Sequence, residues 1–224
     1  MEHSAINVLF AGDNFARLMQ GLWTSVWIAA VSLIIGLILG TIFGILRTLP
    51  NKVVRFILRL YLEFFRIVPT IVLLYLAYYI LPRSLHINWP ASWMAVIAFS
   101  LWIAAEFSDI VRGAIESVPV TQKESGLALG LSQVQLFRYV LLPQAAKLEL
   151  PATINLATRV IKTTSLLMTI SIIDVIAVGQ QIMEANNQRY PNAVFWIYGL
   201  IFILYFAIDY PLSAWAKRLS AKQK

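Results

Sequence analysis

The 224-residue sequence contains no cysteine, only two histidines and few charged residues, which make up 13% of the chain. The missing cysteine excludes a disulfide framework, a thiolate metal site and a cysteine nucleophile. Globular domains are typically about 25% charged and 45–50% apolar, whereas 59% of this chain is hydrophobic. Because a soluble domain of this size does not bury so much apolar surface, the lipid bilayer is the expected solvent.

Motifs of active sites are also missing. The sequence has no G-x-x-x-x-G-K-[ST] phosphate loop, no H-E-x-x-H zinc motif and no G-x-S-x-G nucleophile elbow. Its two histidines, His3 and His86, fall outside the apolar segments. The sequence therefore predicts no cofactor in this chain and gives little support to an intramembrane enzyme. Because no phosphate loop is present, any nucleotide chemistry has to come from another polypeptide.

Five apolar segments are candidates for membrane spans. Residues 22–46 form a run of 25 residues without a charge, long enough to cross a hydrocarbon core of ~30 Å at ~1.5 Å per residue. The other candidates are residues 60–81, 93–116, 150–182 and 195–216. Charges interrupt the fourth, which must be broken, tilted or shielded by protein. The sequence predicts an all-α integral membrane protein with five transmembrane helices.

The distribution of basic residues predicts the orientation, because Lys and Arg are retained on the cytoplasmic side. With five spans, three basic residues lie on one side: Arg17, Arg83 and Arg189. The predicted layout is an extracytoplasmic segment 1–21, a transmembrane domain 22–216 and a cytoplasmic tail 217–224. The basic excess is thus explained by topology, and no nucleic-acid partner is predicted. The cytoplasmic side holds Arg47, Lys52, Arg55, Arg59, Lys123, Arg138, Lys147, Lys217, Arg218, Lys222 and Lys224.

Glycine recurs every fourth residue in the first span, at Gly36, Gly40 and Gly44. This spacing places a smooth strip on one helix face, where a second helix of the same protein can approach closely. We interpret it as an internal packing strip.

Charges inside spans cost about 2.5–3.5 kcal/mol each, so they are kept where they meet partners or water. Glu63 and Arg66 can pair with each other before Pro69, which can bend the helix. Arg112 and Glu116 favour a pairing ladder near the headgroups. The polar residues of the fourth span either neutralise acids of the second and third spans or line a solute path, and both can hold. Asp174 and Asp209 are further candidate partners. The candidate path residues are Glu63, Arg66, Glu106, Asp109, Arg159, Lys162, Thr163, Thr164 and Ser165.

The stretch between the third and fourth spans, residues 117–149, is too long for a simple turn. Thr121-x-x-Glu124 and Ser132-x-x-Gln135 are capping-box patterns, Gly130 is placed to end the first helix, and Pro143 is placed to interrupt the second. Two short helices with a tight turn are predicted. In the second, Val134, Phe137 and Leu141 form an apolar face that either lies on the membrane or docks into a groove of a soluble partner.

This stretch resembles the membrane subunits of bacterial binding-protein-dependent ABC importers, whose motif reads E-A-A-x3-G-x9-I-x-L-P. Here Glu124-Ser125-Gly126 is followed by Gly130 and, nine residues later, by Val140-Leu141-Leu142-Pro143. Flanking stretches are similar to the branch that transports polar amino acids, notably Glu63-Phe64-Phe65-Arg66 and Ala104-Ala105-Glu106.

The resemblance implies a type I importer transmembrane domain whose coupling helix lies within residues 119–143, between helices 3 and 4. It also implies a bacterial cytoplasmic membrane location, a cytosolic ATPase dimer that binds ATP and Mg²⁺, a second permease subunit, an extracytoplasmic binding protein and an amino acid substrate. A secondary transporter driven by an ion gradient is the alternative. The implied coupling residues are Glu124, Ser125, Gly126, Gly130, Leu131, Ser132, Val140, Leu142 and Pro143.

Overall fold

The computed structural model describes residues 5–86, 88–186, 188, 190 and 192–221. Four residues used in the sequence arguments lie outside these ranges: His3, Arg189, Lys222 and Lys224. In the described residues, a short 3₁₀ helix at Ala5–Leu9 precedes eight helices and no strand is present. The helices are α1 Asn14–Thr48, α2 Lys52–Ile67, α3 Thr70–Leu85, α4 Ala91–Ser117, α5 Val120–Ala128, α6 Gln133–Ile170, α7 Val175–Asn186 and α8 Ala193–Ala221.

Three of these helices, α1, α4 and α8, are long and apolar enough to cross a membrane. The pairs α2 with α3 and α6 with α7 satisfy the same criterion only when each bent pair is counted as one span. In the first pair, Val68 is extended before Pro69 and α2 ends at Ile67. The predicted effect of Pro69 is therefore confirmed. Of the three alternatives for the fourth apolar segment, the structure shows the break, at which Ser171 adopts a left-handed backbone with φ +63°.

The chain forms two compact units. The first comprises Met1–Ser32, Ile71–Phe99 and Thr158–Leu212, and the second Leu33–Thr70, Ser100–Ala157 and Ser213–Lys224. The core of the first unit is built by almost fully buried apolar side chains of the first 3₁₀ helix, α1, α7 and α8. It includes Val8, Leu18, Val175, Ile182, Ile197 and Ile201.

The break between α6 and α7 is held by a cap and by a close backbone contact in the first unit. Asp174 is fully buried, and its Oδ1 accepts a hydrogen bond from the N–H of Ala177 at 2.9 Å. A Cβ at Gly21 in α1 would lie 2.8 Å from the backbone carbon and oxygen of Asp174 and from the nitrogen of Val175. Only a glycine at position 21 lets α1 approach the start of α7 this closely.

In the second unit, the glycine strip of α1 packs on α4, which confirms the predicted packing strip. A Cβ added at Gly36 would lie 2.5 Å from Ile103, and one at Gly40 would lie 2.8 Å from Phe107. A Cβ added at Gly44, the next position along the strip, would lie 2.6 Å from Val111. Residue numbers rise together on both helices, so α1 and α4 run parallel at this contact.

Candidate functional site

Helix α5 begins two residues earlier than the capping-box pattern predicts. Pro119 is the N-cap and Val120 is the first helical residue, and no side chain caps the helix. The predicted box of Thr121 and Glu124 is therefore wrong. Pro119 lacks an N–H and its ring fixes φ, which favours a helix start at this point and leaves Thr121 inside the first turn.

The end of α5 is the predicted one. Gly130 has φ +80°, and its N–H donates to the carbonyl of Leu127 at 2.9 Å, while the N–H of Leu131 donates to the carbonyl of Gly126 at 3.1 Å. These two bonds define a Schellman motif, which satisfies the last carbonyls of the helix and requires the left-handed backbone that glycine supplies. The tight turn after α5 is thus fixed by Gly130.

The second capping box is confirmed, but the helix that it opens does not stop at Pro143. The Ser132 hydroxyl accepts from the N–H of Gln135, whose side chain accepts from the N–H of Ser132. From there α6 continues through a π-helical turn at Phe137–Leu141 into Leu142–Thr163. The wider turn, in which the N–H of Leu142 donates to the carbonyl of Phe137, accommodates the proline ring that would otherwise meet a carbonyl one turn back.

The predicted apolar face of α6 is only partly correct. Leu141 is 9% exposed and packs with Val118 and Leu136 in a small core, against which Phe137 also lies. Val134, in contrast, is 76% exposed. The contact with α5 selects the buried side of α6, because Gly126 in α5 has no side chain and Leu136 lies against its backbone.

Exposed apolar side chains surround the turn between α5 and α6. Leu129 is 83% exposed, and Leu127 and Val134 are also exposed. Sequence reasoning missed Leu129, although an apolar residue directly before a helix-terminating glycine was a visible signal. The turn presents an apolar tip, defined here by Leu127, Leu129 and Val134, that is available to a partner.

A charge cluster in the second unit joins α1, α2 and α4 around one carboxylate. Asp109 forms salt bridges with Arg47 at 3.2 Å, Arg66 at 3.1 Å and Arg112 at 3.1 Å. The predicted pair between Glu63 and Arg66 is wrong, because the arginine reaches across to α4. The two oxygens of one carboxylate can accept several charge-assisted hydrogen bonds at once.

The predicted ladder at the end of α4 is confirmed by the bond between Arg112 and Glu116. Asp109, three residues before Arg112, pairs with the same arginine and lengthens this ladder. Arg47 is only 8% exposed and also donates a hydrogen bond to the Ser108 hydroxyl at 3.2 Å. Asp109 therefore ties together three helices.

We expect Asp109→Asn to destabilise the folded chain by about 2–3 kcal/mol, because it leaves three guanidinium groups without their shared anion, one of them buried. Partial exposure of the cluster keeps the loss below that of a fully buried pair. The measurement is the thermal unfolding of the purified protein in detergent. The matched control is Glu116→Gln, whose half-exposed side chain pairs with Arg112 as its one ion-pair partner among the described residues. Equal losses in both variants would contradict the central role of Asp109.

The polar residues of the fourth apolar segment lie where α6 changes from α- to 3₁₀-helix at Thr164. The hydroxyls of Thr163, Thr164 and Ser165 donate to carbonyls of their own helix, those of Arg159, Ile161 and Lys162 respectively. Thr164 is fully buried.

The sequence leaves Asp174 and Asp209 open as partners of these polar residues, and the two acids have different roles in the structure. Asp209 lies within electrostatic range of Lys162, whereas Asp174 caps α7. Lys162 and Thr164 belong to the first unit, together with Arg159, Thr163 and Ser165. The other path candidates, Glu63, Arg66, Glu106 and Asp109, belong to the second unit.

Comparison with known proteins identifies the family. Residues 32–223 match the family "Binding-protein-dependent transport system inner membrane component". The octopine transport system permease protein OccM of Rhizobium meliloti is 31% identical, with 87% of this chain and 82% of OccM covered. The probable glutamine ABC transporter permease protein GlnP of Bacillus subtilis is 27% identical, with 96% and 97% covered.

The fold has solved counterparts. A crystal structure of an amino acid ABC transporter with histidines superposes with a TM-score of 0.80 at 24% sequence identity, covering 91% of this chain and 94% of that chain. The chain belongs to the family of inner membrane components of binding-protein-dependent transport systems. It is an all-α, multi-pass membrane protein with the fold of an ABC importer permease.

Proposed function

We propose that the chain is the transmembrane subunit of an ATP-driven importer of polar amino acids. Family membership carries this proposal, and the relatives named as octopine and glutamine permeases support the substrate class. ATP hydrolysis is the task of a separate ATPase subunit, which binds ATP and Mg²⁺, so this chain needs no cofactor of its own. A binding protein outside the membrane delivers the amino acid.

The proposed topology has five crossings in the cytoplasmic membrane of a bacterium, with the amino terminus outside and the carboxyl terminus inside. The parallel orientation of α1 and α4 supports this topology, because two parallel spans require the chain between them to cross back through the bilayer once. The proposed layout keeps residues 1–21 as the outer segment, 22–216 as the permease domain and 217–224 as the inner tail. The excess of basic residues on the inner side supports this orientation.

The segment 119–143 is proposed to be the coupling element that contacts the ATPase. Its support is the fixed turn at Gly130 and the apolar tip, whose Leu129 side chain is almost entirely exposed. An exposed apolar side chain on a rigid turn is suited to fill a groove in a partner. The residues proposed to contact the ATPase are Glu124, Ser125, Gly126, Gly130, Leu131, Ser132, Val140, Leu142 and Pro143.

Transport is proposed to proceed by alternating access, with a second permease copy, identical or homologous, completing the path. Closure of the ATPases moves the coupling elements, which then tilt the helices that follow them. Each nucleotide state has to contact the element differently, since otherwise no conformational energy is transferred. The nine charged and hydroxyl residues predicted from the sequence, from Glu63 to Ser165, remain the proposed lining of the path.

We expect Leu129→Ala to weaken association with the ATPase about 10–30-fold, as is typical when a buried apolar anchor of an interface is truncated. The measurement is the dissociation constant of the ATPase from the detergent-solubilised permease, together with ATP-dependent amino acid uptake into proteoliposomes containing the binding protein.

The matched control is Leu85→Ala, which makes the same change at an exposed leucine at the end of α3, outside the segment. If both variants bind the ATPase like the wild type, the apolar tip is not the docking site. If uptake by the wild type needs no ATP but stops when an ion gradient is dissipated, the chain is a secondary transporter and the proposed function is wrong.

A further inference from the structure

Helix α2 carries three kinds of side chain on three faces. With about 100° between successive residues, Val54, Leu58, Tyr61 and Phe65 share one face, and all four are half-buried. The Tyr61 hydroxyl on this face donates to the carbonyl of Leu101 in α4 at 2.6 Å. This face attaches α2 to the protein, together with the buried Leu62 and the salt bridge from Arg66 to Asp109 of α4.

The second face of α2 is basic and forms one wall of a cavity of about 620 Å³. Its Lys and Arg residues are spaced by three, four and seven positions, which keeps them on one side of the helix. The cavity is lined by six cationic and three acidic side chains, so that its net charge is positive. They are Arg47, Lys52, Arg55, Arg59, Arg66, Arg112, Glu63, Asp109 and Glu116.

Half of these cations already have an anionic partner, because Arg47, Arg66 and Arg112 share Asp109. The side chains of Lys52, Arg55 and Arg59 make no hydrogen bond or ion pair within the part of the chain that the structure describes. Three cationic groups therefore remain, on one wall of the cavity, for an anion from outside the chain.

The third face of α2 is apolar and exposed. Val53, Ile57, Leu60, Phe64 and Ile67 are between 48% and 75% exposed, and they lie roughly a third of a turn from the basic face. Since the chain is an inner membrane component, these side chains have acyl chains as their natural neighbours. A cationic strip and an apolar strip thus lie side by side on one helix.

We propose that the cavity beside α2 binds the headgroup of an anionic phospholipid, whose acyl chains lie along the apolar strip. Guanidinium groups bind phosphate oxygens through paired hydrogen bonds, which suits Arg55 and Arg59. A volume of about 620 Å³ is in the range of pockets that enclose a small molecule. A free phosphate would satisfy the basic strip but leaves the adjoining apolar strip unexplained. The cavity shares Glu63, Arg66 and Asp109 with the proposed path lining, whereas Arg55 and Arg59, which carry this proposal, lie outside that set and outside the coupling segment.

The test compares lipid binding by the purified transporter complex in detergent. Phosphatidylglycerol and phosphatidylcholine are titrated, and bound lipid is counted by native mass spectrometry. The double variant Arg55→Gln with Arg59→Gln is expected to bind phosphatidylglycerol about 10–30-fold more weakly, with phosphatidylcholine unchanged. The matched control is Lys217→Gln with Arg218→Gln, which removes two exposed charges at the end of α8 and is expected to bind like the wild type.

A competition experiment separates the lipid from a soluble anion. Inorganic phosphate and glycerol phosphate at millimolar concentration are expected not to displace phosphatidylglycerol, because neither can use the apolar strip. If either one competes fully and its binding depends on Arg55 and Arg59, the cavity is a site for free anions and the proposal is wrong.

Two further outcomes would overturn the proposal of a lipid site beside α2. Unchanged preference for phosphatidylglycerol in the double variant places the lipid elsewhere. Unchanged lipid binding combined with loss of the ATPase or of the second permease copy makes the basic strip a protein interface. ATP-driven uptake, measured separately in vesicles of phosphatidylcholine and phosphatidylglycerol, tests the proposed function independently of this site.

Discussion

Replacing Gly21 with alanine is expected to destabilise the folded chain by about 3 kcal/mol, at the upper end of the range for overpacking. The added Cβ would lie 2.8 Å from three backbone atoms of Asp174 and Val175. Backbone atoms cannot rotate away as the end of a long side chain does, so α1 or the start of α7 has to shift. We expect a lower melting temperature and a poor yield of monodisperse protein in detergent.

The control for this prediction is Gly199→Ala in α8, in the same unit. An added Cβ at Gly199 meets nothing within 4 Å, and alanine is the better helix former by about 1 kcal/mol. This variant is expected to be at least as stable as the wild type. Two alanine variants of equal stability would show that α1 does not approach the start of α7 as closely as the structure has it.

Replacing Gly130 with valine is expected to abolish most amino acid uptake, by more than tenfold, while the chain still inserts into the membrane. Nothing lies within 4 Å of a Cβ at this position, so the effect arises from the backbone, whose φ is +80°. A β-branched residue is strongly disfavoured in the left-handed region. The turn therefore opens, and the apolar tip at Leu129 loses its fixed position. ATP-dependent uptake and stimulation of the partner ATPase are the measurements.

The informative comparison is Gly130→Asn. Asparagine tolerates the left-handed conformation far better than valine, so this variant is expected to keep a substantial part of the uptake although its side chain is of similar size. If valine and asparagine impair uptake equally, bulk at the turn is the cause and the conformational argument fails. If neither impairs it, the turn does not transmit the motion of the ATPase.

Features encoded within a few residues were predictable from the sequence. The strip at Gly36, Gly40 and Gly44 follows from helical spacing alone, and the structure places it against α4. The box at Ser132 and the helix end at Gly130 are equally local, because each depends on one side chain and the backbone beside it.

Two local predictions failed at prolines. Pro119 supplied a helix start that competed with the pattern at Thr121. Pro143 was expected to interrupt a helix, but the π-helical turn just before it gave the ring enough room for α6 to continue. Sequence alone carries little information about such a turn, since it differs from an α-helical turn by a single hydrogen-bond step.

The partners of charged residues were the least predictable part of the site. Arg66 is three residues from Glu63 but bonds Asp109, which is 43 residues away. Spacing along one helix gives the neighbours on that helix only, whereas the choice between them and a residue of another helix depends on how the helices pack. The exposed tip at Leu129 was missed for a related reason, because exposure is a property of the assembled fold.

The seam between α1 and α4 has a consequence for how these helices are aligned. Glycines on one helix and large apolar residues on the other both repeat every four residues, so a slip by about 6 Å would restore two of the three contacts. Such a seam has no unique register. Arg47, one turn beyond Gly44, bonds both Ser108 and Asp109, and this single polar anchor selects one register in the way that a buried asparagine does in a coiled coil.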